Sequence, residues 1–291
     1  MAIEINSDIV DTPPLPSATV MVLRDSASGP EVLMMRRHGQ SSVLGGAHVF
    51  PGGKLDAADH VPDADALDQP LAQLQARLGE RDLDAATAAA LHVAALRETF
   101  EECGLLLGQS ATPAQLAQLQ ALLRSGLPFV AALQQMGQRP ATAALVPWSR
   151  WITPRVPSVT NKRFDTRFFV TLAPPGQDAL HDNHEATETV WLNPRAGLQQ
   201  YWDNRIDLAP PQIMSLCQLA RFASVAELLA AAGRRPPPLV APEPFDEGGQ
   251  RVICYPGDPR HSLPAPAWPG PTRLIYRNRR FEPEGGLDAF F

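Results

Sequence analysis

The sequence predicts an α/β protein with a mixed sheet held between helices. Two observations carry this. Short runs rich in Val, Ile, Phe and Trp interleave irregularly with segments whose apolar residues recur at helical spacing. At 291 residues the chain is long enough to bury a full core as one elaborated domain. It contains no apolar run of about 18 residues, so no membrane span is expected.

In chain order, Ala18 to Arg24 and Glu31 to Arg36 read as two strands around the turn at residues 26–30. A loop from Gly39 to His48 leads into Val49-Phe50-Pro51-Gly52-Gly53. An Ala-, Leu- and Gln-rich segment follows, with Leu67, Leu71, Leu74 and Leu78 at helical spacing, and Asp84 is a plausible N-cap for the next helix. Pro113 to Arg124 and Phe129 to Met136 read as helices. Leu145 to Ile152, Arg163 to Leu172 and Glu185 to Leu192 read as strands. Pro194 to Trp202, Pro210 to Ala220 and Val225 to Ala232 are again helical. From Arg235 onward the character changes, because 12 of the 30 prolines fall in the last 57 residues and exclude regular helix. Residues 251–255 and 272–276 still look like short strands, so an ordered extension is expected. The division is an arm at 1–15, a main domain at 16–234 with a helical insertion at 60–90, and an extension at 235–291.

The helix after Asp84 carries the chemistry. Wound at about 100° per residue, Glu98, Glu101 and Glu102 share about a third of the circumference, while Val93, Leu96, Phe100 and Cys103 face the other way. Three adjacent carboxylates usually make a solvated face. They can also be an all-oxygen ligand set of the kind Mg²⁺ or Mn²⁺ prefers. Gly104 follows, where left-handed backbone closes a helix.

Gly53 upstream, then Arg97-Glu98-Thr99-Phe100-Glu101-Glu102-Cys103-Gly104-Leu105, resembles the Nudix box, G-x5-E-x7-R-E-U-x-E-E-x-G-U with U a bulky apolar residue. Thr99 is the one soft substitution in the second half. Asp59 stands where the family has glutamate, and 37 residues rather than seven separate it from Arg97. An insertion there resembles the subfamily that includes the peroxisomal coenzyme A diphosphatase-like Nudix proteins.

The resemblance implies the Nudix α/β/α sandwich and water attack on a diphosphate, assisted by Mg²⁺ or Mn²⁺. It implies Glu98 and Glu102 as principal metal ligands, Glu101 as ligand or water-activating base, and the Gly53 carbonyl as a further ligand. Arg97 would orient a glutamate. Glu185 and Glu188 lie where several family members hold a base or an extra ligand. Arg36, Arg37 and Arg167 are candidate phosphate contacts, and His48 could reach the phosphate. Trp148, Trp151 and Phe168 could stack on a base or fill the core.

Coenzyme A-cleaving members carry L-L-T-x-R-[SA]-x3-R-x3-G-x3-F-P-G-G before the box. Here Leu33, Arg37, Gly46 and Phe50 to Gly53 fit, whereas His38 and Ser42 depart, the latter at an expected arginine. The substrate class is thus a nucleoside diphosphate derivative: coenzyme A or acyl-CoA, or alternatively ADP-ribose or a dinucleotide. A catalytically silent, nucleotide-binding regulator is the other class. The net charge of −6 argues against nucleic acid. Three widely spaced cysteines and an N-terminus without a signal-like apolar stretch point to the cytoplasm. No membrane partner is expected, and a homodimer is open.

Overall fold

The computed structural model describes residues 5–39, 45–61, 63–180 and 186–291. Its strands are β1 (Leu15–Ser26), β2 (Gly29–Arg37), β3 (His48–Val49), β4 (Gly52–Lys54), β5 (Val146–Ile152), β6 (Phe164–Leu172), β7 (Ala186–Leu192) and β8 (Leu239–Val240). They form one mixed sheet. β1 runs parallel to β6 and antiparallel to β2 and β4; β2 also pairs with β3 and β7, β5 pairs antiparallel with β6, and β8 adds to β5 in parallel.

The central strands are buried on both faces, and their alternation separates two cores. Ala18, Val20 and Val22 of β1, with Leu33 and Met35 of β2, point to one side. There they meet α1 (Leu71–Leu78), α2 (Ala85–Cys103), α3 (Pro113–Arg124) and α4 (Phe129–Gln135). Met21 and Leu23, with Val32 and Met34, point to the other. That side is filled by α5 (Pro194–Trp202), α6 (Pro210–Leu219) and α7 (Val225–Gly233). The result is a three-layer α/β/α sandwich.

Within the insertion, helix begins only after Pro70, which occupies the N-cap of α1, so Leu67 packs from a non-helical segment. Asp84 caps α2 by accepting a hydrogen bond from Thr87 N–H at 2.8 Å, and Gly104 closes it at φ 69°. The insertion is clamped to the sheet by ions. Glu80, just past α1, takes both Arg167 (2.6 Å) and Arg150 (2.9 Å).

Beyond α7, strands β9 (Glu243–Glu247), β10 (Gln250–Cys254), β11 (Arg273–Arg277) and β12 (Arg280–Glu282) make a small antiparallel sheet. The two strands expected near 251–255 and 272–276 therefore pair with each other. Ile253, Leu274, Phe281 and Phe290 join the core of α5 and α6, and Tyr201 Oη donates to Phe281 O at 3.0 Å. Among the described residues no helix is long and apolar enough to cross a membrane.

Candidate active site

The last turns of α2 face the β4 turn. Phe100 and Cys103 are buried in the core beneath, which fixes the rotation of the helix and turns its carboxylates toward Gly52 and Gly53. Gly52 N–H donates to Glu102 Oε2 at 2.8 Å. A Cβ on Gly53 would be driven into the Glu98 carboxylate, so only glycine permits this approach. Glu98 is largely enclosed, and burial pushes its carboxyl above the ordinary range against the lowering pull of Arg97.

Arg97 organises the group. Its Nε and Nη2 donate to Asp59 Oδ1 and Oδ2 at 2.7 and 2.9 Å. Its Nη1 donates to Glu98 Oε1 and Glu101 Oε2, each at 2.9 Å, and Nη2 also reaches Lys54 O at 3.2 Å. Burial alone would work against the charge, but Asp59, Glu98 and Glu101 together hold the guanidinium more firmly charged than a free arginine. Asp59 is itself fixed, since its Oδ2 accepts from Asp56 N–H at 2.8 Å in a capping box.

Among the described residues no group of three His, Cys, Asp or Glu side chains converges as a preformed metal cage. Arg97 draws Glu98 and Glu101 to itself, and Glu101 is exposed beside Gly104 and Phe100 rather than over the cleft. The donor chemistry nevertheless fits a hard divalent cation. Two enclosed carboxylates, Glu98 and Glu102, flank backbone that a Cβ would obstruct, and every donor there is oxygen.

A cleft of about 440 Å³ opens over this floor, with Arg37, Gly53, Lys54, Glu98, Lys162 and Gln212 in its walls. Arg37 Nε is buried there without a hydrogen-bond partner among the described residues, an N–H group awaiting an acceptor. Lys54 and Lys162 were not anticipated from the sequence, although Lys54 directly follows Gly53. Gln212 was missed as well.

Several expected contacts lie elsewhere. Arg167 is 4% exposed and locked between Glu80 and Asp165, so it is a structural arginine and not a phosphate contact. His48 alternates with Val49 on β3. Val49 lines the cleft, whereas His48 turns to a separate hollow shared with Arg36, Glu188 and Asp207. His48, Arg36 and Glu188 are therefore not part of the carboxylate site. Burial lowers the His48 pKa, which favours the neutral ring. Trp148 is a core residue, and Trp151 and Phe168 are buried beside it while also lining an apolar hollow. Glu185 and Ser42 lie outside the described residues.

The sequence profile of the NUDT19 Nudix domain matches residues 11–219, well over half of the chain. The chain belongs to the Nudix family. It is 28% identical over 241 residues to a Xenopus laevis protein named acyl-coenzyme A diphosphatase NUDT19, covering 70% of this chain and 63% of that one. The human protein of the same name is 28% identical over 239 residues, covering 69% and 64%. This Nudix chain thus spans a little under two thirds of the length of these relatives. Among solved structures, a NUDIX hydrolase from Alicyclobacillus acidocaldarius superposes with a TM-score of 0.60 at 27% identity, covering 76% of this chain and 97% of that one. The three-layer sandwich is accordingly the Nudix fold. Arg97, Glu98, Glu101 and Glu102 lie inside the matched range at the end of α2, and Asp59 is the acid that pairs with Arg97.

Proposed function

We propose that this Nudix domain is a divalent-metal-dependent hydrolase that cleaves the diphosphate linkage of coenzyme A or an acyl-CoA. The observation that carries the reading is the placement of Glu98 and Glu102 against the Gly52–Gly53 turn, with Glu98 and both glycines lining a cleft that also holds Arg37. Glu98, Glu102 and the Gly53 carbonyl would hold Mg²⁺ or Mn²⁺, with Glu101 added once it leaves Arg97. A cation there neutralises diphosphate oxygens and acidifies a water.

The chain's own groups then have separate tasks. Arg37, Lys54 and Lys162, all in the cleft wall, bind phosphate oxygens. Arg97, anchored on Asp59, holds the Glu98 and Glu101 carboxylates by charge-assisted hydrogen bonds and fixes Glu98 beside Gly53. Glu101, once released from Arg97 and turned to the cleft, takes the proton from the attacking water in this reading, and Glu185 is the alternative base. The name shared by the Xenopus and human relatives supports the coenzyme A class, and the half-present Arg37 frame agrees with it.

The test is a hydrolysis screen over coenzyme A, acyl-CoA, ADP-ribose, NADH and dinucleoside polyphosphates with Mg²⁺ and with Mn²⁺. Coenzyme A derivatives should be cleaved with the highest kcat/KM. Preferred cleavage of ADP-ribose or a dinucleotide would overturn the substrate class and keep the hydrolase. No turnover of any of these would overturn both.

A further inference from the structure

Next to the charged cleft lies a second hollow of about 200 Å³ with a different character. Its walls are apolar, with Trp151, Pro154, Pro157, Val159 and Phe168 from the main domain and Ile253 from the C-terminal extension. The two hollows adjoin, sharing Thr19, Phe164, Thr166 and Gln212 as wall residues. A group bound over Glu98 would lie against residues that also wall the apolar part.

Gln212 stands at the seam. It is 8% exposed, and its Oε1 is buried without a hydrogen-bond partner among the described residues. An unpaired buried amide oxygen costs free energy, and a turn of the side chain toward the hollows that Gln212 lines would offer it to a ligand N–H. Hydroxyls deeper in the hollow each accept one hydrogen bond: Thr153 Oγ1 from Phe164 N–H, Ser158 Oγ from Arg251, and Thr160 Oγ1 from Lys162 N–H. This lining suits a mostly aliphatic group with an amide N–H near its charged end.

We propose that the apolar hollow is the subsite for the pantetheine arm of the substrate, with Gln212 Oε1 accepting an amide N–H of that arm at the threshold. The proposal rests on the coenzyme A reading above and deepens it. It also gives the extension a role, since Ile253 and Pro242 complete the wall. The branched carbons next to the phosphate would meet Phe164 and Thr19, and the remainder of the arm would run along Trp151 and Val159.

The test is calorimetric titration of the full chain, without divalent metal, using 4′-phosphopantetheine and AMP as probes. Neither probe contains a diphosphate, so binding is read apart from hydrolysis. Phosphopantetheine should bind the unaltered chain. Gln212→Leu should weaken it by roughly three- to tenfold, and Val159→Trp, which fills the hollow, should weaken it further. AMP affinity should hold in both variants. The proposal is overturned if phosphopantetheine does not bind, if neither substitution weakens it, or if AMP loses affinity as much or more. Absence of coenzyme A turnover in the unaltered chain is a separate result that strikes the hydrolase reading alone.

Discussion

Asp59 grips Arg97 at two points, Nε to Oδ1 at 2.7 Å and Nη2 to Oδ2 at 2.9 Å, across 37 intervening residues. Arg97 in turn holds Glu98 and Glu101. Asp59 is thus a positioning residue for carboxylates it does not touch. Asp59→Asn should lower kcat by about ten- to a hundredfold. A double-mutant cycle with Arg97→Lys should be strongly non-additive. Additive losses would separate the two residues.

Glu98→Gln and Glu102→Gln each remove one negative ligand while keeping side-chain shape. Turnover should fall by orders of magnitude, and Mn²⁺ titrated by electron paramagnetic resonance should bind more weakly. Circular dichroism should show the fold intact. Full activity in both variants would remove the metal-site assignment.

Adjacent glycines should fail differently. A Cβ at Gly52 collides with the β1 backbone at Ala18 and Thr19, at φ 152°, so Gly52→Ala should lower the melting temperature. The atoms nearest a Cβ at Gly53 are those of the Glu98 carboxylate, the far end of a flexible side chain, so Gly53→Ala should abolish turnover with little change in melting. Thermal melts beside kinetics distinguish the two.

Arg37→Ala should raise KM more than it lowers kcat, since the contact is made with bound phosphate before reaction. The expected loss is one charge-assisted hydrogen bond, about 1.5–3 kcal/mol, or roughly ten- to a hundredfold in kcat/KM. An effect confined to kcat would place Arg37 at the reacting phosphorus instead.

The C-terminal sheet should be acid-labile. Burial by itself pushes the Asp258 and Glu282 carboxyls up. Arg273 on Asp258, and Arg277 and Arg280 on Glu282, outweigh it and hold each below its ordinary value of 3.8 or 4.5. Groups lowered in the folded state stabilise it above those ordinary values, and that stability is lost as pH falls through the lower, folded ones. Melting temperature should therefore drop below about pH 4.5. Asp258→Asn should melt lower at pH 7 and show a shallower acid slope.

Where structure is decided by neighbours in sequence, it was legible. The Asp84 cap, the Gly104 stop and the run Pro113–Arg124 follow from local chemistry, and so does the shared face of Glu98 and Glu102. Arg167 was not legible as a structural residue because its partner Glu80 lies 87 positions away, inside the insertion. His48 could have been placed by parity. If Val49 faces the cleft, its strand neighbour faces away, but a two-residue strand offers little pattern to read. Gln212 carried a faint signal as a polar residue on the apolar helix α6, yet Gln218 on the same helix is polar for another reason, accepting from Trp148 Nε1 at 2.9 Å. Strand β9, Glu-Pro-Phe-Asp-Glu, is too polar to be read as a strand without its partner β10.

The interrupted box has a consequence in polymer terms. Lengthening the tether between Asp59 and Arg97 from seven residues to 37 raises the entropy cost of closing that loop by only about 1.5 kcal/mol, because the cost grows with the logarithm of length. The packing of Leu74 and Leu78 and the ion pairs of Glu80 can offset an amount of that size. A spacing rule written in residue counts treats this chain as a broken motif, whereas in free energy the motif is nearly whole. Tether length in such a site is therefore free to drift, and the grip of one carboxylate on one guanidinium is what must be kept.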